Sequence, residues 1–259
     1  MKTLVKSVAV FLGLGLVPAL ANTVTHFGDG VGSDVPNLLN QVGIGAGNAA
    51  SETTANSFIV PGAAGTDTTL TFTFMRDTGA FLFDFGMYPI GSVVADPVSQ
   101  KQLYAEQAIG AGVSIFNDAV DNPGATRTVV VPGGTELGFF IVPDNSVGAF
   151  LANPSLFYPS QTVISSLRAP LFSVSDANPG ELDQMLSFVA NGVTLFTFED
   201  LTRTGLSDED FTDIAFTIDA ELRPVIPPPP TGVPDGGSVL ALLAAGLMGV
   251  GLIRRSRAS

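Results

Sequence analysis

An all-β body, sandwich or jelly-roll-like with one or two short helices, is the fold this sequence predicts. Leu70, Phe72 and Phe74 alternate with Thr69, Thr71 and Thr73, a period of two that puts the apolar groups on one face of a strand. Asn191-Gly192 lies between two apolar runs, and both residues accept the positive φ that a tight hairpin demands. Short apolar runs then recur along the chain with Gly and Pro between them, which is the punctuation of stacked antiparallel sheets.

Taken in order, residues 28–57 are rich in Gly, Asn, Ser, Thr and Ala and read as loop, within an N-terminal segment 22–57. The β body is expected over 58–225. Phe81, Phe83 and Phe85 repeat the alternation after the Asp77-Thr78-Gly79 turn. Asp96-Pro97 followed by Leu103, Ala105, Ala108 and Ile109 reads as a short helix, with Asp96 as N-cap and Pro97 in the first helical position. Strands are expected at 128–131 and 137–142 around Pro132-Gly133-Gly134, then at 171–174, 185–189, 193–198 and 214–218. The run Pro227 to Pro230 within 226–232 reads as a stiff extended spacer.

The two ends carry a different kind of information. Lys2 and Lys6, an apolar stretch from Val8 to Val17, the Pro18 break and Ala19-Leu20-Ala21 before Asn22 form the order of a secretory signal peptide, 1–21, cut after Ala21 by signal peptidase. At the other end, Val233-Pro234-Asp235-Gly236 precedes an apolar stretch at 238–253 and then Arg254, Arg255 and Arg257. A helix over 238–253 is about 24 Å long, short of a hydrocarbon core of about 30 Å, so it suits a transient inner-membrane anchor with its basic end held in the cytoplasm.

That three-part order over 233–259 resembles the PEP-CTERM sorting signal in its Val-Pro-Asp-Gly variant. The resemblance implies recognition of the motif by an exosortase, a membrane-embedded cysteine protease that cuts nearby and releases or transfers the protein. It also implies a Gram-negative-type host that makes exopolysaccharide, and a secreted or cell-surface destination.

Removing both ends leaves 6 Lys+Arg against 23 Asp+Glu over roughly 22–232, a net charge of −17 on a chain long enough for one large β domain or two small ones. Such a surface repels nucleic acid and anionic lipid, both of which are bound through clustered Lys and Arg. With no cysteine there are no disulfides, no thiolate metal sites and no Cys nucleophile. The lone histidine, His26, stands in Gly-rich sequence as a solvated side chain, and no Ser-His-Asp or Cys-His constellation can be assembled around it. Glu199 and Asp210 are nominal glycosidase carboxylates, but the absence of Trp and the presence of only 3 Tyr remove the usual sugar platforms. The 19 Phe fall on alternating strand positions and are expected in the core.

Five segments resemble the domain-of-unknown-function 4114 family over roughly 130–221. They are Glu136 to Val142, Pro170 to Ser173, Asp183 to Phe188, Phe198 to Leu201, and Ser207-Asp208-Glu209-Asp210-Phe211-Thr212-Asp213-Ile214-Ala215-Phe216. The last follows the family's Asp-x-Asp-aromatic-x-Asp spacing before an apolar strand, with Thr212 where Asn is common. The family accompanies extracellular and surface proteins.

Asp208, Asp210 and Asp213, with Glu199, are the candidate ligands for Ca²⁺, because a carboxylate-rich turn supplies several of its six to eight oxygens from a short stretch of chain. A solvated acidic turn explains the same residues without an ion. No catalytic residue is identified. The expectation is a non-enzymatic structural or interaction protein of the extracellular matrix or biofilm, calcium-stabilised; the alternative is a non-catalytic carbohydrate-binding module for the host exopolysaccharide.

Overall fold

A computed structural model of the protein describes residues 35–45, 55–78, 82–161, 168–200 and 211–225. The cleavage residues Ala19 and Ala21, His26, Asp208, Asp210, the spacer 226–232, Val233 to Gly236, the segment 238–253 and Arg254 and Arg255 lie outside the described residues. Among the described residues no helix is long and apolar enough to cross a membrane.

The chain is mostly β. In order it forms α1 (Val35–Gln41), β1 (Ser57–Ile59), β2 (Asp67–Asp77), β3 (Phe83–Pro89), α2 (Lys101–Ala111), β4 (Val113–Asn117), β5 (Thr126–Pro132) and β6 (Glu136–Pro143). It continues with α3 (Val147–Ala152), β7 (Leu171–Phe172), β8 (Met185–Ala190), β9 (Val193–Phe198), β10 (Ile214–Ile218) and β11 (Arg223–Val225). The first sheet runs β11-β1-β6-β3-β4, with β7 also on β6; the second runs β5-β2-β10-β9-β8. Every pairing is antiparallel.

The alternation in β2 explains how the sheets stack. Leu70, Phe72 and Phe74 are buried while the threonines between them are not, so one face of the strand turns inward. Facing it from the first sheet are Phe83, Phe85 and Phe139, and beside it on its own sheet stand Phe196, Phe198 and Phe216. The rings interlock: Phe85 lies 3.8 Å from Phe216 between centroids, and Phe58 meets Phe196 edge-on at 4.9 Å. Each such ring contributes about 1.5–3 kcal/mol by leaving water, which is how a chain without disulfides stabilises two sheets.

Both outer faces are covered as well. On the first sheet, Tyr104, Ala105, Ala108 and Ile109 of α2 pack with Tyr88, Phe140 and Phe172, and α3 adds Phe150. Gly138 makes room there, since a Cβ at that position would stand 2.4 Å from the Tyr88 ring. On the second sheet, Val35, Leu38 and Leu39 of α1 cover Leu186, Phe188, Leu195 and Ala215.

Two expectations need correction. Residues 35–41, read as loop, form a helix, because Val35, Leu38 and Leu39 recur at helical spacing and have an apolar sheet face to cover. Asp96 caps a single turn rather than the helix: its carboxylate accepts from the N–H groups of Val98 and Ser99, and α2 begins only at Lys101, after Gln100 at φ −133 and ψ 45. The buried Lys101 explains the offset. Its ammonium donates to the carbonyls of Asp176 and Asn178, which holds the start of α2 against the 175–178 turn. The Asn191-Gly192 hairpin forms as read, with φ of 55 and 83 joining β8 to β9.

Candidate metal centre

The candidate site follows from the register of three adjacent strands. Met185 pairs with Phe198, and Phe198 pairs with Ile214. These three side chains point into the core between the sheets. One residue further, at the end of each strand, stand Gln184, Glu199 and Asp213. The Glu199 N–H donates to the Gln184 carbonyl at 3.1 Å, so the pairing continues for one more step. Alternation then turns Gln184, Glu199 and Asp213 to the opposite face, the one that α1 and Phe211 cover.

Carboxylate oxygens of Glu199, Asp200 and Asp213 lie within 4.8 Å of one another. Glu199 and Asp200 are fully buried, and Asp213 is 9% exposed. Local bonds fix the arrangement. The Asp200 N–H donates to the Asp213 carboxylate at 3.1 Å, and the Phe211 N–H points at Glu199 at 3.4 Å. Thr78, at the end of β2, donates through N–H to the Asp213 carbonyl and through its hydroxyl to the Thr212 carbonyl. Phe211 itself holds φ at 54, an uncommon conformation for a bulky residue, and buries its ring beneath α1.

Each pair of charges at that spacing repels by about 1 to 3 kcal/mol at effective dielectric constants of about 80 to 20. A hard divalent cation among them turns that repulsion into attraction. Of the sequence-derived ligands, Glu199 and Asp213 are brought together here, while Asp208 and Asp210 lie outside the described residues. Asp200 was not among the candidates. In an extended chain it faces away from Glu199, yet its carboxylate comes within 4.8 Å of the other two.

The remaining buried charges are engaged elsewhere. Asp84 accepts from the Ser114 hydroxyl and the Val147 N–H, and Asp121 pairs with Arg127. The hydroxyls of Tyr88 and Tyr104 share a hydrogen bond of 2.6 Å, and burial pushes Tyr104 up to about 12. Beside them a cleft of about 340 Å³ is lined by Asn56, Glu136, Tyr104 and aliphatic side chains that include Val93, Val174 and Val225.

A two-sheet antiparallel body with buried carboxylates at one end defines a β module with a candidate cation site. Residues 131–221 are a DUF4114 domain, a domain of unknown function, and this stretch holds β6 to β10 and all three carboxylates of the site. Its strands are shared between both sheets, where β2 and β3 from outside the matched stretch lie among them. No curated protein and no solved structure matches the chain.

Proposed function

We propose that the protein is exported, sorted to the cell surface and there serves a structural or interaction role without catalysis, its β body locked at one end by calcium. The observation that carries the calcium reading is the convergence of Glu199, Asp200 and Asp213, three largely buried carboxylates. Calcium binds oxygen at about 2.3–2.6 Å, so two ligands of one ion stand at most about 5.2 Å apart. A spread of up to 4.8 Å is one that calcium accommodates as it stands.

Sorting is supported by the end signals: cleavage after Ala21, then exosortase recognition of Val233-Pro234-Asp235-Gly236 ahead of 238–253 and the arginine cluster. Intact-mass measurement on protein from its native host tests this, with a mature chain expected to begin at Asn22 and to lack Arg254 and Arg255. A C-terminus still ending in Arg257-Ala258-Ser259 overturns the sorting reading. Calorimetric titration of the EDTA-stripped protein with calcium tests the cation, and the absence of saturable heat overturns it.

The cleft beside Tyr104 favours a second reading, a carbohydrate-binding module for exopolysaccharide, since its volume falls within the range of about 300–1,000 Å³ typical of small-ligand sites. Saturable, sugar-specific binding on a glycan array separates this reading from the first.

A further inference from the structure

We infer that Gln184 supplies a neutral oxygen ligand to the calcium ion held by Glu199, Asp200 and Asp213, an inference that rests on the cation reading above. Gln184 is 1% exposed, and neither its side-chain oxygen nor its side-chain nitrogen has a hydrogen-bond partner. Either orientation of the amide therefore leaves a buried dipole unanswered, which native proteins rarely tolerate. Extending the two registers by one residue, as the Glu199 N–H to Gln184 carbonyl bond does, sets Gln184 opposite Glu199 and Asp213 opposite it from the other side, and alternation then turns the three side chains to one face. Cβ atoms across such a pair are about 4.5–5.5 Å apart, within reach of a shared ion for side chains of this length.

The chemistry fits the same conclusion. Three carboxylates around a divalent cation already leave an excess negative charge, and a fourth would add to it. An amide oxygen raises the ligand number toward the six to eight that calcium takes without adding charge. It also favours calcium over magnesium, which keeps several of its waters and demands a tighter octahedron.

A nearby residue provides the control. The Thr197 hydroxyl is also buried and without a partner, and it lies on the same face of β9. It stands two residues before Glu199, about 6.6 Å back along the strand, and its hydroxyl sits on the first side-chain carbon, so it reaches less far toward the strand ends than the Gln184 amide does. If a vacant dipole merely perturbs packing, the two positions respond alike; if Gln184 binds the ion, only one changes calcium affinity.

The test is calorimetric titration of the EDTA-stripped full-length protein with calcium chloride and, separately, magnesium chloride, beside Gln184→Met, Gln184→Leu, Gln184→Glu and Thr197→Val. The apo melting temperature of each variant is recorded as well. Gln184→Met and Gln184→Leu are expected to lose at least about tenfold in calcium affinity, as losing a supporting metal contact does. Their apo melting temperatures should be unchanged or higher, because an unanswered buried dipole has gone. Gln184→Glu restores an oxygen and should bind calcium at least as well as the wild type, with a lower apo melting temperature. Thr197→Val should bind calcium as the wild type does. Wild-type binding that Gln184→Met leaves intact overturns the role of Gln184 and spares the cation reading. No saturable binding by the wild type overturns the cation reading itself. Equal losses in Gln184→Met and Thr197→Val, or a Glu variant that binds no better than Met, also overturn the inference. Should Gln184→Leu fail to fold, the Met and Glu variants decide the question.

Discussion

The two outer faces of the sandwich are buried by different means. Over the first sheet, α2 and α3 lay down Tyr104, Ile109 and Phe150 on Tyr88, Phe140 and Phe172, and the buried charges there are engaged: Lys101 donates to two carbonyls, and Asp84 accepts from the Ser114 hydroxyl and the Val147 N–H. Over the second sheet, α1 covers Leu186, Leu195 and Ala215, but the strand ends beneath it carry Glu199, Asp213 and an amide with no partner. Most polar groups of the first face are answered by the chain's own atoms, the buried Tyr158 hydroxyl being an exception. The second gathers three carboxylates out of water, and a cation bound among them would stabilise that arrangement. Burial alone therefore does not tell a structural layer from a binding one; what sets the second face apart is a group of carboxylates gathered near an unanswered amide.

The contrast can be broken at its apolar side first. Phe140→Ala empties a fully buried ring site between Tyr88 and α2 and should destabilise the protein by about 3–5 kcal/mol, with and without calcium alike. Denaturant unfolding at both conditions checks it, and a calcium-dependent loss would mean that the two faces are coupled.

Calcium is the next lever. A hundredfold excess over the dissociation constant should raise stability by about 2.7 kcal/mol, and EDTA should abolish the gain. Asp213→Asn should remove the calcium-dependent part of the melting temperature, while Phe140→Ala keeps it.

Lys101→Met sharpens the same comparison from the other direction. It leaves the carbonyls of Asp176 and Asn178 without their donor and should cost about 1–3 kcal/mol, independent of calcium. Thermal melts in both conditions measure it.

The smallest effect concerns Asp118. Burial first, then the neighbouring Asp77 carboxylate, raises its pKa from 3.8 to about 6. The folded state therefore holds a proton that the unfolded chain has released between those values. The stabilisation is complete below about pH 4 and is lost as pH rises through about 6. Asp118→Asn should flatten that part of the stability-pH profile. At neutral pH it should gain less than about 1 kcal/mol, since the group is partly exposed and screened. Chemical denaturation from pH 4 to 7 reads the slope.

What was legible in the sequence follows the distance over which each signal acts. The alternation of Leu70, Phe72 and Phe74 and the Asn191-Gly192 turn are decided by neighbouring residues, and both features stand in the structure. The helix at 35–41 was obscured because Gly, Asn and Ser dominate the residues around it, and its three apolar groups gain their helix from the sheet they cover. Glu199 and Asp213 could be suspected from their charge. Asp200 could not, because strand alternation assigns it to the other face. Gln184 carries no chemistry on its own, and it becomes notable only through a register that sets it opposite Glu199, fifteen positions along the chain. Pairing across strands is long-range information, and no local pattern contains it.

The last described strand has a mechanical consequence. β11 is held to β1 over three paired residues, Ser57 to Val225 through Ile59 to Arg223. The middle one is Pro224, which has no N–H to give to the ladder. Tension applied at Val225 loads this short edge ribbon before it reaches β10. β10, by contrast, is clamped between β2 and β9 in the middle of its sheet and buried along its whole length. A pull on Val225 would peel this edge ribbon first and then meet Leu222, which is fully buried in the core and whose N–H donates to the Thr194 hydroxyl, so the phenylalanine interior is guarded by a second catch.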